Sequence, residues 1–119
     1  MSRTRAIRAY VAGPYSHGDP TENVMQAMEA ATRMLDVGIA PFIPHLSHFW
    51  NEVYPRAYET WMTLDFEWLG ACDVLYRLPG TSPGAEREVA LAGKMGIPVY
   101  YDLDFMLEEL GNACVKVEA

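Results

Sequence analysis

The sequence predicts a doubly wound α/β fold, a parallel sheet of four to five strands flanked by helices. Two observations carry that prediction. Short apolar runs alternate along the chain with amphipathic helical segments, the order expected of a parallel sheet with right-handed crossovers. The chain has 119 residues, half of them apolar, which suits one respectable core and argues against disorder. One domain over residues 1–119 is expected, with its core at about 6–110.

Ala6 to Ala12 reads as a first apolar strand, ending at Gly13-Pro14. Asp19-Pro20-Thr21-Glu22 reads as a capping box with proline at the first helical position. Val24, Met28, Ala31 and Leu35 then recur at helical spacing until Gly38. Ile39 to Pro44 is a second strand, and the aromatic stretch His45 to Pro55 reads as an irregular loop. A helix over Ala57 to Gly70 leads to a third strand, Cys72 to Leu78. Ser82 caps the next helix, which runs to about Lys94. Pro83, at its first position, lacks an amide hydrogen that would find no partner there. Ile97 to Tyr101 is the fourth strand and Leu103 to Leu110 a last short helix, with a frayed tail after Gly111.

Composition narrows the function. A net charge of −7 with no basic stripe argues against nucleic acid or acidic membrane as partners. The two cysteines, Cys72 and Cys114, imply neither a disulfide framework nor a metal site, and no cofactor is expected. Met1 to Arg8 is basic but has no apolar core of a signal segment, and no run approaches a membrane span. A cytoplasmic protein is expected.

In doubly wound sheets ligands bind beyond the carboxyl ends of the strands. Those ends are the loops at Gly13 to Asp19, His45 to Tyr54 and Pro79 to Gly84. The Ser82 hydroxyl and the free amides of the following turn, with Gly84 among them, form an anion site at a helix start. One turn further in stands a carboxylate. A phosphate cradle beside an acid suggests chemistry on a phosphorylated sugar.

Three acidic positions compete. Glu86 and Glu88 are two apart on a helix, about 200° in projection, and cannot both face one cleft. Glu88 shares its face with Gly84, Ala85 and Ala92, whose small side chains let a ligand or another backbone come close; Glu86 falls on the solvated side. A first-turns glutamate favoured by the helix dipole is the plainer alternative for Glu88. Asp65 lies on the stripe Trp61, Asp65, Trp68, where desolvation would raise its pKa and suit it to proton transfer; a partly exposed loop cap is the alternative. Asp73 reads as a cap of the preceding helix.

Weaker candidates surround these. The Tyr10 hydroxyl could reach a cleft at the end of its strand, or the residue could be core alone. His45 and His48 could touch a ligand or be surface residues. Trp50, Tyr54 and Tyr58 could stack on a base, or serve as core or interface. Gly13-Pro14-Tyr15-Ser16 lacks the dinucleotide glycine fingerprint.

Three motifs, in order and with fitting spacings, carry a resemblance. Tyr10-Val11-Ala12-Gly13-Pro14-Tyr15-Ser16, then Asp65-Phe66-Glu67-Trp68-Leu69 with Cys72-Asp73, then Ser82-Pro83-Gly84 with Glu88 resemble the nucleoside 2-deoxyribosyltransferase superfamily. Within it the chain is similar to the short 2'-deoxynucleoside 5'-monophosphate N-glycosidases and their phage and bacterial relatives, over about residues 8–101. The resemblance implies a Rossmann-like domain in which Glu88 is the nucleophile, Asp65 assists proton transfer or orients the sugar, and Tyr10 positions the nucleophile. It also implies that Ser82 holds a 5'-phosphate, with Gly13, Pro14, Ser16, His45 and Gly84 around the substrate. Monophosphate-specific members often carry an arginine in the loop after the first strand, where this chain has Ser16-His17.

The expected reaction is hydrolysis of the N-glycosidic bond of a (deoxy)nucleoside 5'-monophosphate, giving free base and sugar phosphate. Base exchange by a transferase and a non-catalytic nucleotide sensor are the alternatives. A homodimer or higher homo-oligomer is expected, with the aromatic stretch His45 to Tyr58 as lid or interface.

Overall fold

A computed structural model describes residues 2–118; Met1 and Ala119, the outermost residues of the expected domain, lie outside them. The strands are β1 (Ser2–Ala6), β2 (Arg8–Ala12), β3 (Ala40–Phe42), β4 (Val74–Arg77), β5 (Val99–Tyr100) and β6 (Cys114–Glu118). Strands β2 to β5 form the expected parallel sheet, with four strands in the order β3-β2-β4-β5. The helices are α1 (Pro20–Asp36), α2 (Ser47–Val53), α3 (Tyr58–Gly70), α4 (Pro83–Met95) and α5 (Leu103–Leu110).

The central strands are buried on both faces, as their unbroken apolar runs require. Ala9, Val11, Val74 and Tyr76 pack against α1 and α5. Tyr10, Ala12 and Leu75 point the other way, against Leu69 of α3 and Ala85 and Ala92 of α4. This period of two puts one helical layer on each face, the doubly wound arrangement. Winding reverses between β2 and β4, so their carboxyl ends open a crevice there.

Four expectations change. The first predicted strand divides at Ile7: Ser2–Ala6 is a separate strand, β1. The tail after Gly111 is not frayed, because β6 pairs antiparallel with β1 from Ala6↔Cys114 to Ser2↔Glu118. Two ends far apart in sequence satisfy each other's backbone groups, which neither segment signals alone. Asp73 does not cap a helix. Its carboxylate takes two hydrogen bonds from Arg5, at 2.7 and 2.9 Å, and one from the Arg8 amide at 2.8 Å, tying β1 and β2 to the start of β4. On α1 the buried residues are Ala27, Ala30, Ala31 and Met34, whereas Met28 and Leu35 of the predicted stripe are exposed. Three alanines let the helix lie close on the sheet around the buried Met34, and Met28 and Leu35 turn to its flank.

Candidate active site

Two loops meet at the crevice. A Cβ on Gly13 would stand 2.7 Å from Leu78 Cβ, and one on Gly80 would stand 2.8 Å from Pro14 Cγ. Gly80 also has φ +112°, a conformation side chains resist. Glycine at both positions lets the loops after β2 and β4 touch. Arg77, the last residue of β4, reinforces the second loop from beneath. Its buried guanidinium donates to the carbonyl oxygens of Leu78 and Gly80 and to Glu86 Oε1.

Above the crevice lies a cavity of about 620 Å³. Gly13 and Ser16 come to it from the loop after β2, His45 from the segment after β3, Asp65 from α3, and Ser82, Gly84 and Glu88 from α4. Tyr10 lies beneath, fully buried, and Pro14 enters through its carbonyl, 3.1 Å from His45 Nε2. Seven of the positions named from the resemblance thus line one cavity, with Tyr10 beneath it and Pro14 behind His45; of the aromatic candidates Tyr58 and the neighbouring His48 line it, while Trp50 and Tyr54 do not.

The predicted loop His45 to Pro55 is a correction: it folds as a 3-10 turn, Pro44–Leu46, followed by α2. Proline at the start of the turn and the absence of glycine from Pro44 to Pro55 make this ordering possible. The segment forms one wall of the cavity. Its Asn51 accepts a hydrogen bond from the Trp61 indole at 2.7 Å, and Trp50 packs edge-on against Trp61. Trp61 shares the cavity with Asp65, but Trp68 does not. Trp68 instead stacks on Phe42 and lines a second, apolar hollow of about 710 Å³ behind Asp65.

Glu88 is only 5% exposed, and its Oε2 accepts a hydrogen bond from the Tyr10 hydroxyl. Burial pushes its carboxyl up to about 7; the Tyr10 bond and the positive charges of Arg77 and Arg87 oppose the rise, and Asp65 adds to it. Burial likewise raises the Tyr10 hydroxyl, with the two nearby carboxylates adding to it, so the phenol keeps its proton. Asp65 is 9% exposed and is pushed up to about 7 by desolvation. Its Oδ1 has no hydrogen-bond partner. Near neutral pH the two acids stand where one can be ionised while the other holds a proton. Glu86, by contrast, has a side chain 67% exposed and paired with Arg77.

The start of α4 is less open than expected. The Ser82 hydroxyl oxygen accepts from the Ala85 amide at 3.0 Å, and the Glu86 amide donates to the Ser82 carbonyl. Pro83 has no amide hydrogen, so Gly84 supplies the first-turn donor left for a ligand, beside the proton of the Ser82 hydroxyl itself. A cation not foreseen from sequence stands on the same cavity: Arg56, in the turn between α2 and α3. Its side chain donates to the Pro55 carbonyl at 2.9 Å. Tyr15, His48, Tyr58 and Met62 complete much of the wall, and Tyr15 packs tilted against His48 with ring centroids 4.4 Å apart. Nothing local in the sequence marks Arg56, whose amide donates to Asn51 Oδ1 on α2 at 3.0 Å. Among the described residues no three His, Cys, Asp or Glu side chains gather as a metal site requires.

The arrangement is a doubly wound α/β crevice with buried acids at its floor, and solved structures share its fold. A 2-deoxyribosyltransferase from the psychrotolerant bacterium Bacillus psychrosaccharolyticus is similar at 20% identity and a TM-score of 0.55, over 77% of this chain and 69% of that one. A 2-deoxyribosyltransferase from Leishmania mexicana is similar at 19% identity and a TM-score of 0.58, over 78% of this chain. The match spans 61% of the Leishmania protein's length. At such identities the likeness is one of fold. The chain belongs to the family described as a domain of unknown function (DUF7768), whose model matches residues 7–102. No curated protein matches it. No helix among the described residues is long and apolar enough to cross a membrane.

Proposed function

We propose that this protein cleaves the N-glycosidic bond of a (deoxy)nucleoside 5'-monophosphate, with Glu88 as nucleophile. The observation that carries the reading is the buried Tyr10–Glu88 hydrogen bond at the floor of a cavity that also holds Asp65. Bond cleavage builds positive charge at C1', which a facing carboxylate stabilises and captures. The C1'–N bond breaks and its electron pair goes to the base, which takes the proton of Asp65. A C1'–O bond to Glu88 forms. Water then attacks C1' and gives its proton to Asp65, releasing Glu88 as a carboxylate. Tyr10 holds Glu88 in line and tempers its basicity. Ser82, Gly84 and Arg56 are the groups assigned to the 5'-phosphate.

Base exchange is the second reading. It is favoured by the fold shared with two 2-deoxyribosyltransferases. In that case a second base, rather than water, attacks the Glu88 intermediate. One experiment separates the two. The protein is incubated with each deoxynucleoside and its 5'-monophosphate, with and without a second base, and products are separated chromatographically. Free base and sugar phosphate without an acceptor support hydrolysis. A new nucleoside formed only with the acceptor supports exchange. No product under either condition, with ligand binding retained, would leave a nucleotide sensor.

A further inference from the structure

Only two buried side-chain atoms among the described residues lack a hydrogen-bond partner, His45 Nδ1 and Asp65 Oδ1, and both residues line the same cavity. The mechanism above uses Asp65 and leaves His45 unexplained. Its ring is 5% exposed, and Nε2 lies 3.1 Å from the Pro14 carbonyl oxygen. A carbonyl can only accept, so Nε2 carries the proton. Burial lowers the ring's pKa, against the opposing pull of the Pro14 and Gly13 carbonyls, and so favours the neutral ring. In a neutral ring with Nε2 protonated, Nδ1 is a bare acceptor. A buried acceptor without a partner is costly unless something supplies a donor.

We propose that His45 Nδ1 is a fixed hydrogen-bond acceptor that selects substrates presenting a donor to it, a sugar hydroxyl or an N–H of the base. The inference rests on the nucleotide reading of the cavity. Pro14 holds the tautomer, and the tautomer dictates the polarity of the group the ligand must bring. His45 is thereby a specificity-determining residue, separate from bond cleavage.

Nitrogen NMR of the protein labelled with 15N-histidine tests the tautomer before any ligand is added. His45 should show a protonated Nε2 and an unprotonated Nδ1 at pH 7. A proton on Nδ1, or a doubly protonated ring, overturns the proposal. Two probes that cannot turn over then separate the two donor sources: 2-deoxyribose 5-phosphate, and each common nucleobase. The Trp61 indole resonance reports occupancy, because Trp61 lines the cavity. An upfield shift of Nδ1 with the sugar phosphate assigns the donor to a hydroxyl, and one with a base assigns it to an N–H; either supports the proposal. Probes that move Trp61 and leave Nδ1 unchanged overturn it while the nucleotide reading stands. Probes that move no cavity resonance overturn both. His45→Gln keeps a donor for the Pro14 carbonyl but has no acceptor at the Nδ1 position. It should weaken binding of the responding probe about three- to ten-fold, as expected for one neutral hydrogen bond. Unchanged affinity in a folded His45→Gln protein would mean that the ring only ties two loops together, and would overturn the proposal.

Discussion

The Tyr10 hydroxyl, fully buried in the second strand, donates a hydrogen bond to Glu88 Oε2 on a helix 78 residues further along the chain. The pair spans the core between the sheet and α4. It joins a phenol that keeps its proton to a carboxyl raised towards neutrality, so whenever Glu88 is ionised the phenol is the donor. Tyr10 therefore stabilises the ionised form of Glu88 against the surrounding desolvation.

Glu88→Ala should abolish nearly all base release, while Glu86→Ala should retain most of it. Glu86 is largely exposed and touches the cavity only through Arg77 and the loop it braces. Product chromatography on both folded variants decides the matter. An inactive Glu86→Ala with an active Glu88→Ala would move the nucleophile.

Tyr10→Phe should raise the pKa of Glu88, because the lost bond lowered it. Hydrogen bonds to charged groups are worth roughly 1.5–3 kcal/mol, so the acidic limb of the kcat/KM profile should move up by about one to two pH units. A profile that falls in height but keeps its midpoint would make Tyr10 a packing residue alone.

Asp65→Asn keeps the shape and removes the titrating group. It should lower kcat by about 10² or more if Asp65 protonates the leaving base. A change confined to KM would assign it to binding. The same substitution should stabilise the fold. Asp65 and Glu88 are both raised to about 7 from 3.8 and 4.5, so between about pH 4 and 7 the native state holds protons that the unfolded chain releases. Stability contributed by that retention is present at low pH and is lost as pH rises through 7. Asp65→Asn should therefore gain on the order of 1–2 kcal/mol over wild type at pH 8 and little at pH 4, read from urea midpoints at both pH values.

Ser82→Ala and Arg56→Ala should each cost about ten- to a hundred-fold in kcat/KM on a 5'-monophosphate and little on the free nucleoside, as expected for one charge-assisted hydrogen bond. Ser82→Ala also removes the cap that accepts from the Ala85 amide and should lose about 1 kcal/mol of stability. Steady-state kinetics on both substrates separate the effects. Equal losses on the two would reduce Ser82 to a helix cap and Arg56 to a surface residue.

Arg77→Met should leave the Leu78 and Gly80 carbonyl oxygens without their side-chain donor and loosen the loop that meets Gly13 and Pro14. A loss of about 1–3 kcal/mol in chemical denaturation is expected, with a raised KM. Wild-type stability would show that backbone contacts alone hold the loop.

Local signals sufficed for most of the architecture. Pro20 and Pro83, each following a capping side chain, mark where α1 and α4 begin. The unbroken apolar runs at Tyr10 and Leu75 mark central strands, and the small face of α4 singled out Glu88 over Glu86. These features depend on neighbours within a few residues, and the chain carries them wherever it goes. Other features depend on partners far away in sequence. The β1–β6 pairing joins the two ends of the described chain, and Asp73 meets Arg5 across 68 residues. Arg56 stands on a cavity whose other walls come from the loop after β2 and from α3 and α4, and Arg77 is buried under a loop that its own side chain holds. Whether the Glu88 and Asp65 carboxyls titrate near neutrality was likewise decided by the tertiary structure, since desolvation is a property of the whole enclosure around a group. Local patterning places particular residues at the strand ends; packing sets which of them are dry, which are paired, and which are left with an unanswered hydrogen bond.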